Sequence, residues 1–233
     1  MDPRVVASSS ADLGTALDAA VDGRFPPDDG TVEVIADAIG PASGVVAFSA
    51  HFYVCAPVTP GWVARHVDTA DFTATHSPSF LLALADELDA DIGALDVVLA
   101  GHADEEARAA LAAVRDADLV VHAGSDHPRA ARARRHREDV TVWQVGDGDG
   151  WIVVGRGVCG RWEASFEVAP AARGRGLGRQ LAAAARALVP SGSATFTQVS
   201  PGNVASLRAV LAAGYRPVGS EVLLPPTGPG QPL

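Results

Sequence analysis

Residues 173–181 read RGRGLGRQL, and an alanine- and leucine-rich run to Val189 follows them. Three glycines and three arginines, with Leu177 among them, fill the first seven positions. A helix start leaves backbone N–H groups without partners and carries partial positive charge. Glycines let the preceding turn aim those N–H groups at one anion, and arginines add planar, charge-assisted hydrogen bonds. A phosphate cradle at the head of a helix over 177–189 fits these residues. A glycine-rich turn before a helix with solvated arginines fits them too, so the neighbours must decide.

The pattern upstream and downstream is that of alternating strands and helices. GWIVVGRGVCGRWEASFEVAP (150–170) is apolar enough for two strands with a turn near Gly157–Gly160. SATFTQVS (193–200) reads as a strand, NVASLRAVLAAG (203–214) as a helix and YRPVGSEVLL (215–224) as a last strand. Before them come a strand at 118–124, a basic helix at 126–139 and a strand over TVWQVGD. The N-terminal part offers a frayed start running into a helix with a serine cap (SADLGTALDAAV), and strands 31–39 and 43–57 joined by the turn GPASG. Helices at TPGWVARHV and 77–88, a strand at 96–101 and a helix at 104–117 complete it.

Charge divides the chain unevenly. Residues 1–125 hold 20 acidic side chains against 5 arginines, whereas 126–233 hold 8 against 13. The basic half suits a polyanionic ligand. The acidic half disfavours nucleic acid and favours a cationic partner. Arg129, Arg132, Arg134, Arg135 and Arg137 could touch nucleic acid or a ligand phosphate, but the absence of interleaved aromatics and the acidic chain favour a solvated helix face. No run of 18 apolar residues spans a membrane, and the N-terminus has no secretory pattern. Cys55 and Cys159 match neither a disulfide framework nor a zinc site, and His122, His127 and His136 lack metal-ligand spacing. A cytoplasmic protein without a metal is expected. His51, Tyr53 and Cys55 alternate on one strand face, as side chains lining a core or a cleft both do.

Three linked signals point to a family. Arg173-Gly174-Arg175-Gly176-Leu177-Gly178 follows Phe166-Glu167-Val168-Ala169-Pro170, and Asn203, Ser206, Gly214 and Tyr215 follow the next strand. In that order and spacing the stretch from Trp162 to Leu224 resembles the acetyl-CoA-binding half of the GCN5-related N-acetyltransferases (GNAT). The resemblance implies an α/β fold with a mixed, splayed sheet flanked by helices. It implies acetyl-CoA as co-substrate, its pyrophosphate held near Arg173, Gly174, Arg175, Gly176, Leu177, Gly178 and Arg179. It implies an open strand edge at Phe166 and Val168 for the pantetheine arm, and an oxyanion donor near Val168. Asn203 and Ser206 would touch the cofactor or cap their helix.

An amine, on a small molecule or a peptide, would attack the bound thioester directly. Glu163, with Glu167 four residues on and on the same strand face by a period of two, is the expected base, although exposed strand carboxylates give the same pattern. Many members of the family place a tyrosine as acid seven residues after the asparagine. Here that position is Val210, and Tyr215 is expected in the core, leaving Ser206 or water. An acyl-CoA-binding protein without turnover is the rival reading. The expected organisation is residues 1–115 as a cap or a degenerate copy of the same fold, 116–225 as the acetyl-CoA-binding domain and 226–233 as a disordered tail. Members of the family often pair as dimers.

Overall fold

In a computed structural model that describes residues 2–122 and 127–227, the chain forms two compact α/β units. One comprises the chain to Asp96 together with the chain from Gly219; the other is Val97–Val218.

The first unit contains β1 (Val5–Ala7), α1 (Ser10–Val21), β2 (Val32–Ile35), β3 (Ser43–Phe48), β4 (His51–Cys55), α2 (Pro60–His66) and α3 (Pro78–Leu88). Ser9 and Asp12 close a reciprocal capping box on α1, whose Leu13, Leu17 and Ala20 are buried. β2 pairs in parallel with both β1 and β4, and β4 pairs antiparallel with β3. The N-terminus is therefore a paired strand rather than frayed chain. The expected hairpin of 31–39 with 43–57 is also corrected. The longer segment breaks at Ser49, whose φ is +48°, so the hairpin is β3–β4 and strand β2 lies parallel beside it.

The second unit holds β5 (Leu95–His102, from Val97 on), α4 (Glu105–Asp116), β6 (Leu119–Val121), α5 (Pro128–Ala133), β7 (Glu138–Val145), β8 (Gly150–Arg156), β9 (Trp162–Val168), α6 (Leu177–Ala185), β10 (Ala194–Val199) and α7 (Val204–Ala212). Its strands run in the order β5-β10-β9-β8-β7-β6. All neighbours are antiparallel except β9 and β10, which are parallel. The first unit, with two parallel pairs, does not repeat this pattern.

The last strand, β11 (Arg216–Leu224), pairs antiparallel with β3 through Ser220–Leu224. The expected boundary at 115/116 thus moves to 96/97: Val97–His102 pairs with β10, and the end of the last strand belongs with β3. Pro226 and Thr227 are held by Ala90 and Asp89, so the chain is tied down that far; the rest of the expected tail, 228–233, lies outside the described residues. Residues 123–126, at the end of the expected strand 118–124 and the start of the expected basic helix, also lie outside. From Pro128 that helix lasts only six residues, and β7 begins at Glu138.

What positions the site is α6. Leu181 to Ala185 are all buried, the mark of a helix covered on every side. Leu181, Ala184 and Ala185 pack with Leu111 and Val114 of α4 and with Ile152, Val154 and Ala164 of β8 and β9. Ala182 and Ala183 pack with Val199, Val210 and Tyr215. Alanine lets the helix lie close to the sheet, and its N-terminus is thereby fixed above the end of β9.

Candidate functional site

β9 alternates by two, so Ala164, Phe166 and Val168 turn towards α6 and join its apolar cluster. Glu163, Ser165 and Glu167 turn to the other face. Along one edge β9 pairs with β8 over its whole length, Gly150↔Val168 to Arg156↔Trp162. Along the other edge it pairs with β10 at only two positions, Thr195↔Trp162 and Phe196↔Glu163. β10 continues to Val199 beside β5. The two parallel strands therefore part after Glu163, and the edge of β9 from Ala164 to Val168 has no partner on β10. An edge of that kind offers N–H and C=O groups to an extended amide chain.

The loop leaves the open end of β9. Gly174 and Gly176 have φ of +77° and +83°, and a Cβ on either would meet nothing within 4 Å. Backbone conformation, not crowding, requires glycine there. Gly176 is the N-cap of α6 and supplies no side chain to it. The first intrahelical bond runs from Gln180 N to Gly176 O, which leaves the N–H groups of Leu177, Gly178 and Arg179 pointing out of the helix. Gly178 lies over the sheet, where a Cβ would be in ordinary contact with Val168, Phe166 and Ala209.

The three arginines are engaged by the loop and by α4. Arg173 Nε donates to Val168 O (3.2 Å), Arg175 donates to Ala171 O (3.2 Å), and Arg179 pairs with Glu106 (2.6 Å). An open groove of about 250 Å³ lies beside the helix start, lined by Glu106, Ala109, Ala110, Gly176, Arg179, Gln180 and Ala183. Converging N–H groups, a positive helix end and three guanidiniums fit an anionic group such as a pyrophosphate.

Asn203 is an N-cap: its side chain accepts from Ser206 N at 3.2 Å, and both residues head α7. Ser206 is half-buried. Val210 is fully buried, and Tyr215 is buried against Ala182, Ala183 and Val210, with Arg186 over its ring at 5.7 Å. Burial pushes the Tyr215 hydroxyl upward, away from proton transfer near neutrality.

Glu163 departs from the expected role. Its carboxylate is fully buried, with Oε1 accepting from Arg161 Nε (2.8 Å) and Val158 N (3.3 Å) and Oε2 from Arg137 Nε (2.8 Å). Burial alone would raise its pKa, but Arg161 and Arg137 outweigh burial and hold it at about 2. A carboxylate so acidic, with both oxygens engaged, is a poor base. Glu163 is an anchor for two arginines. Glu167 is half-exposed and paired with Arg129 at 2.9 Å, so of the two strand carboxylates it is the one open to a proton role.

Arg137 leaves the supposed solvated face altogether. Only 4% of its side chain is exposed, and besides Glu163 it reaches Ser165 Oγ (3.2 Å) and Gln198 Oε1 (2.9 Å). Arg132, Arg134 and Arg135 remain exposed. Beside them, burial and then Arg137 lower the pKa of His136 to about 4, so its ring is neutral. Ser165 and Gln198 were missed in sequence. Ser165 was findable from its place between Glu163 and Glu167, whereas nothing local marks Gln198.

In the first unit, His51 is buried between Asp29 (3.2 Å) and Glu33 (2.8 Å), and Tyr53 and Cys55 are core residues of the same strand face. Among the described residues no group of three His, Cys, Asp or Glu side chains is placed to hold a metal ion, and no helix is long and apolar enough to cross a membrane.

No family model and no curated protein matches the chain. Solved structures do. A GCN5-related N-acetyltransferase from Kribbella flavida is 18% identical, with a TM-score of 0.43, over 94% of this chain and 96% of that one. A GNAT-family acetyltransferase from Colwellia psychrerythraea is 15% identical (TM-score 0.35), over 62% of this chain and 60% of its own. A putative GNAT-family acetyltransferase from Novosphingobium aromaticivorans is 17% identical (TM-score 0.35), over 57% and 64%. The chain thus spans less than two thirds of the length of the latter two. At such identities and TM-scores these are likenesses only.

Proposed function

We propose that the unit Val97–Val218 binds acetyl-CoA and passes its acetyl group to an amine. The observation that carries this reading is the parting of β9 and β10 after Glu163, with the glycine loop and the free N–H groups of α6 at the open end of the same strand. The pyrophosphate would sit at Gly174–Arg179, and the amide-bearing pantetheine arm would pair with the edge at Phe166–Val168. The thioester supplies an activated acyl group that a neutral amine attacks without a covalent enzyme intermediate. Glu167 is the candidate for taking the amine's proton, directly or through water. The acidic N-terminal part of the chain suits a cationic small molecule or peptide as acceptor, and the reading includes a cytoplasmic setting.

One observation favours the second reading, an acyl-CoA-binding protein without turnover. Glu163 is neutralised as a base by two arginines, and the position of the family's tyrosine acid is the buried Val210. The experiment is calorimetric titration with acetyl-CoA, then thiol release with polyamines, aminoglycosides and peptides as acceptors. Binding with thiol release on one amine supports transfer. Binding without release on any acceptor supports the second reading. Gly176→Asp places a negative charge in open space at the cradle and should abolish binding while the fold survives; retained affinity would overturn the loop assignment.

A further inference from the structure

Gln198 stands on β10, two residues beyond Phe196, the last β10 residue paired with β9. Its Oε1 accepts from the Arg137 Nη2 group at 2.9 Å. A guanidinium carries donors only, so this contact decides which end of the carboxamide faces it. The oxygen must, and the amide nitrogen is turned away. Arg137 cannot readily yield, being tied to Glu163 and Ser165 with its side chain 4% exposed. A flip of Gln198 would set N–H against N–H. The outcome is a buried Nε2 with no hydrogen-bond partner among the described residues. Buried donors are nearly always paired, so an unfilled one asks for an explanation.

Its place supplies one. The carboxamide and Ser165 are bridged by the same guanidinium across the point where the two strands part. Arg137 and Arg161 both bond the Glu163 carboxylate there and hold these side chains in place. A donor held in fixed, buried surroundings favours an oxygen that gains negative charge during reaction.

We infer that the Gln198 carboxamide donates a hydrogen bond to the acyl carbonyl oxygen of a thioester lying between β9 and β10, and that Arg137 is the residue that positions it. This rests on the acetyl-CoA reading above and adds to it a second donor beside the backbone edge.

The test compares acetyl-CoA with CoA by calorimetry, because only the former carries the carbonyl. Wild-type protein should bind acetyl-CoA about 5- to 10-fold more tightly than CoA, the worth of one neutral hydrogen bond. Gln198→Glu keeps an acceptor for Arg137 and removes the donor; it should weaken acetyl-CoA binding by about that same factor and leave CoA unchanged. Arg137→Lys keeps the charge without the planar fork and should shrink the same ratio at constant CoA affinity. Should that variant fail to fold, Gln198→Leu, which removes the donor without adding charge, gives a second reading of the donor. Equal loss of both ligands in Gln198→Glu would mark a structural role and overturn the inference, as would an unchanged ratio. Wild-type protein that binds neither ligand overturns the acetyl-CoA reading itself, and this inference with it.

Discussion

Replacing Glu163 by glutamine separates an anchor from a base. The carboxylate is fully buried and accepts from Arg161, Val158 and Arg137. Glutamine keeps the shape but has one oxygen, so its NH2 must face a guanidinium donor, and two buried arginines lose a carboxylate partner. Removing one partner of a buried ion pair costs about 3–5 kcal/mol. The two arginines also hold the folded carboxyl well below its ordinary value, which works in the same direction. For a chain of this size a loss of about 3–5 kcal/mol lowers the melting temperature by roughly 6–20 °C. Because the folded pKa is depressed, the contribution is fully present above pH 4.5 and is lost as pH falls towards 2. The gap between wild-type and Glu163→Gln melting temperatures should therefore be constant near neutrality and narrow below pH 4.5. Thermal melts from pH 7 to pH 4, beside thiol-release assays at pH 7, make the measurement. A variant as stable as wild type but unable to transfer acetyl groups would refute the anchor and restore Glu163 as the base.

Two glycines should respond oppositely to alanine. A Cβ at Gly157 would overlap the Glu163 carboxylate, so Gly157→Ala should destabilise by about 2 kcal/mol or more in denaturant melts, a loss the overpacking of a buried charge cluster explains. Gly178 has room for a methyl group and lies inside α6, so Gly178→Ala should leave stability unchanged or raise it by up to about 1 kcal/mol. Tyr215→Phe should leave the rate of acetyl transfer within about twofold, as no hydroxyl held in this core serves as acid; a rate loss of two orders of magnitude would contradict its placement.

The loop was legible in sequence because its physics is local. Left-handed φ at Gly174 and Gly176 and a helix start at Leu177 are all written within five residues. The two strands about Gly157–Gly160 were legible for the same reason, a turn between two apolar runs. The role of Glu163 was not. A period of two places it on a face with Glu167, but the partner that neutralises it, Arg137, lies 26 residues away. The run of arginines hid that partner, since residues 126–139 read as one basic helix with a solvated face, when in fact the helix stops at Ala133 and the chain turns inward at Arg137. The boundary failed on the same ground: whether a strand belongs to the unit before or after it depends on its pairing partner, and β3 and β10 are far in sequence from the segments they bind.

The buried charge cluster and the open strand edge belong to one device. Parallel strands that stop pairing would ordinarily leave N–H and C=O groups exposed and nothing to fix their separation. Here the backbone ladder ends at Phe196↔Glu163, and side chains take over at that residue. Arg137 ties Glu163 and Ser165 of β9 to Gln198 of β10, and Arg161, bonded to the same carboxylate, stands 5.0 Å over the ring of Phe196. The cluster holds the strands at a set spacing on one face while α6 and its alanines cover the other. Glu163 gives up basicity in the process, because the two arginines that keep the gap in place are the ones that hold its proton off. An acid-base group at the root of the opening would need those arginines removed, and the opening would then lose its support. If the unit transfers acetyl groups as proposed, the proton's route lies further along the strand, where Glu167 is half-exposed, or through the acceptor and water.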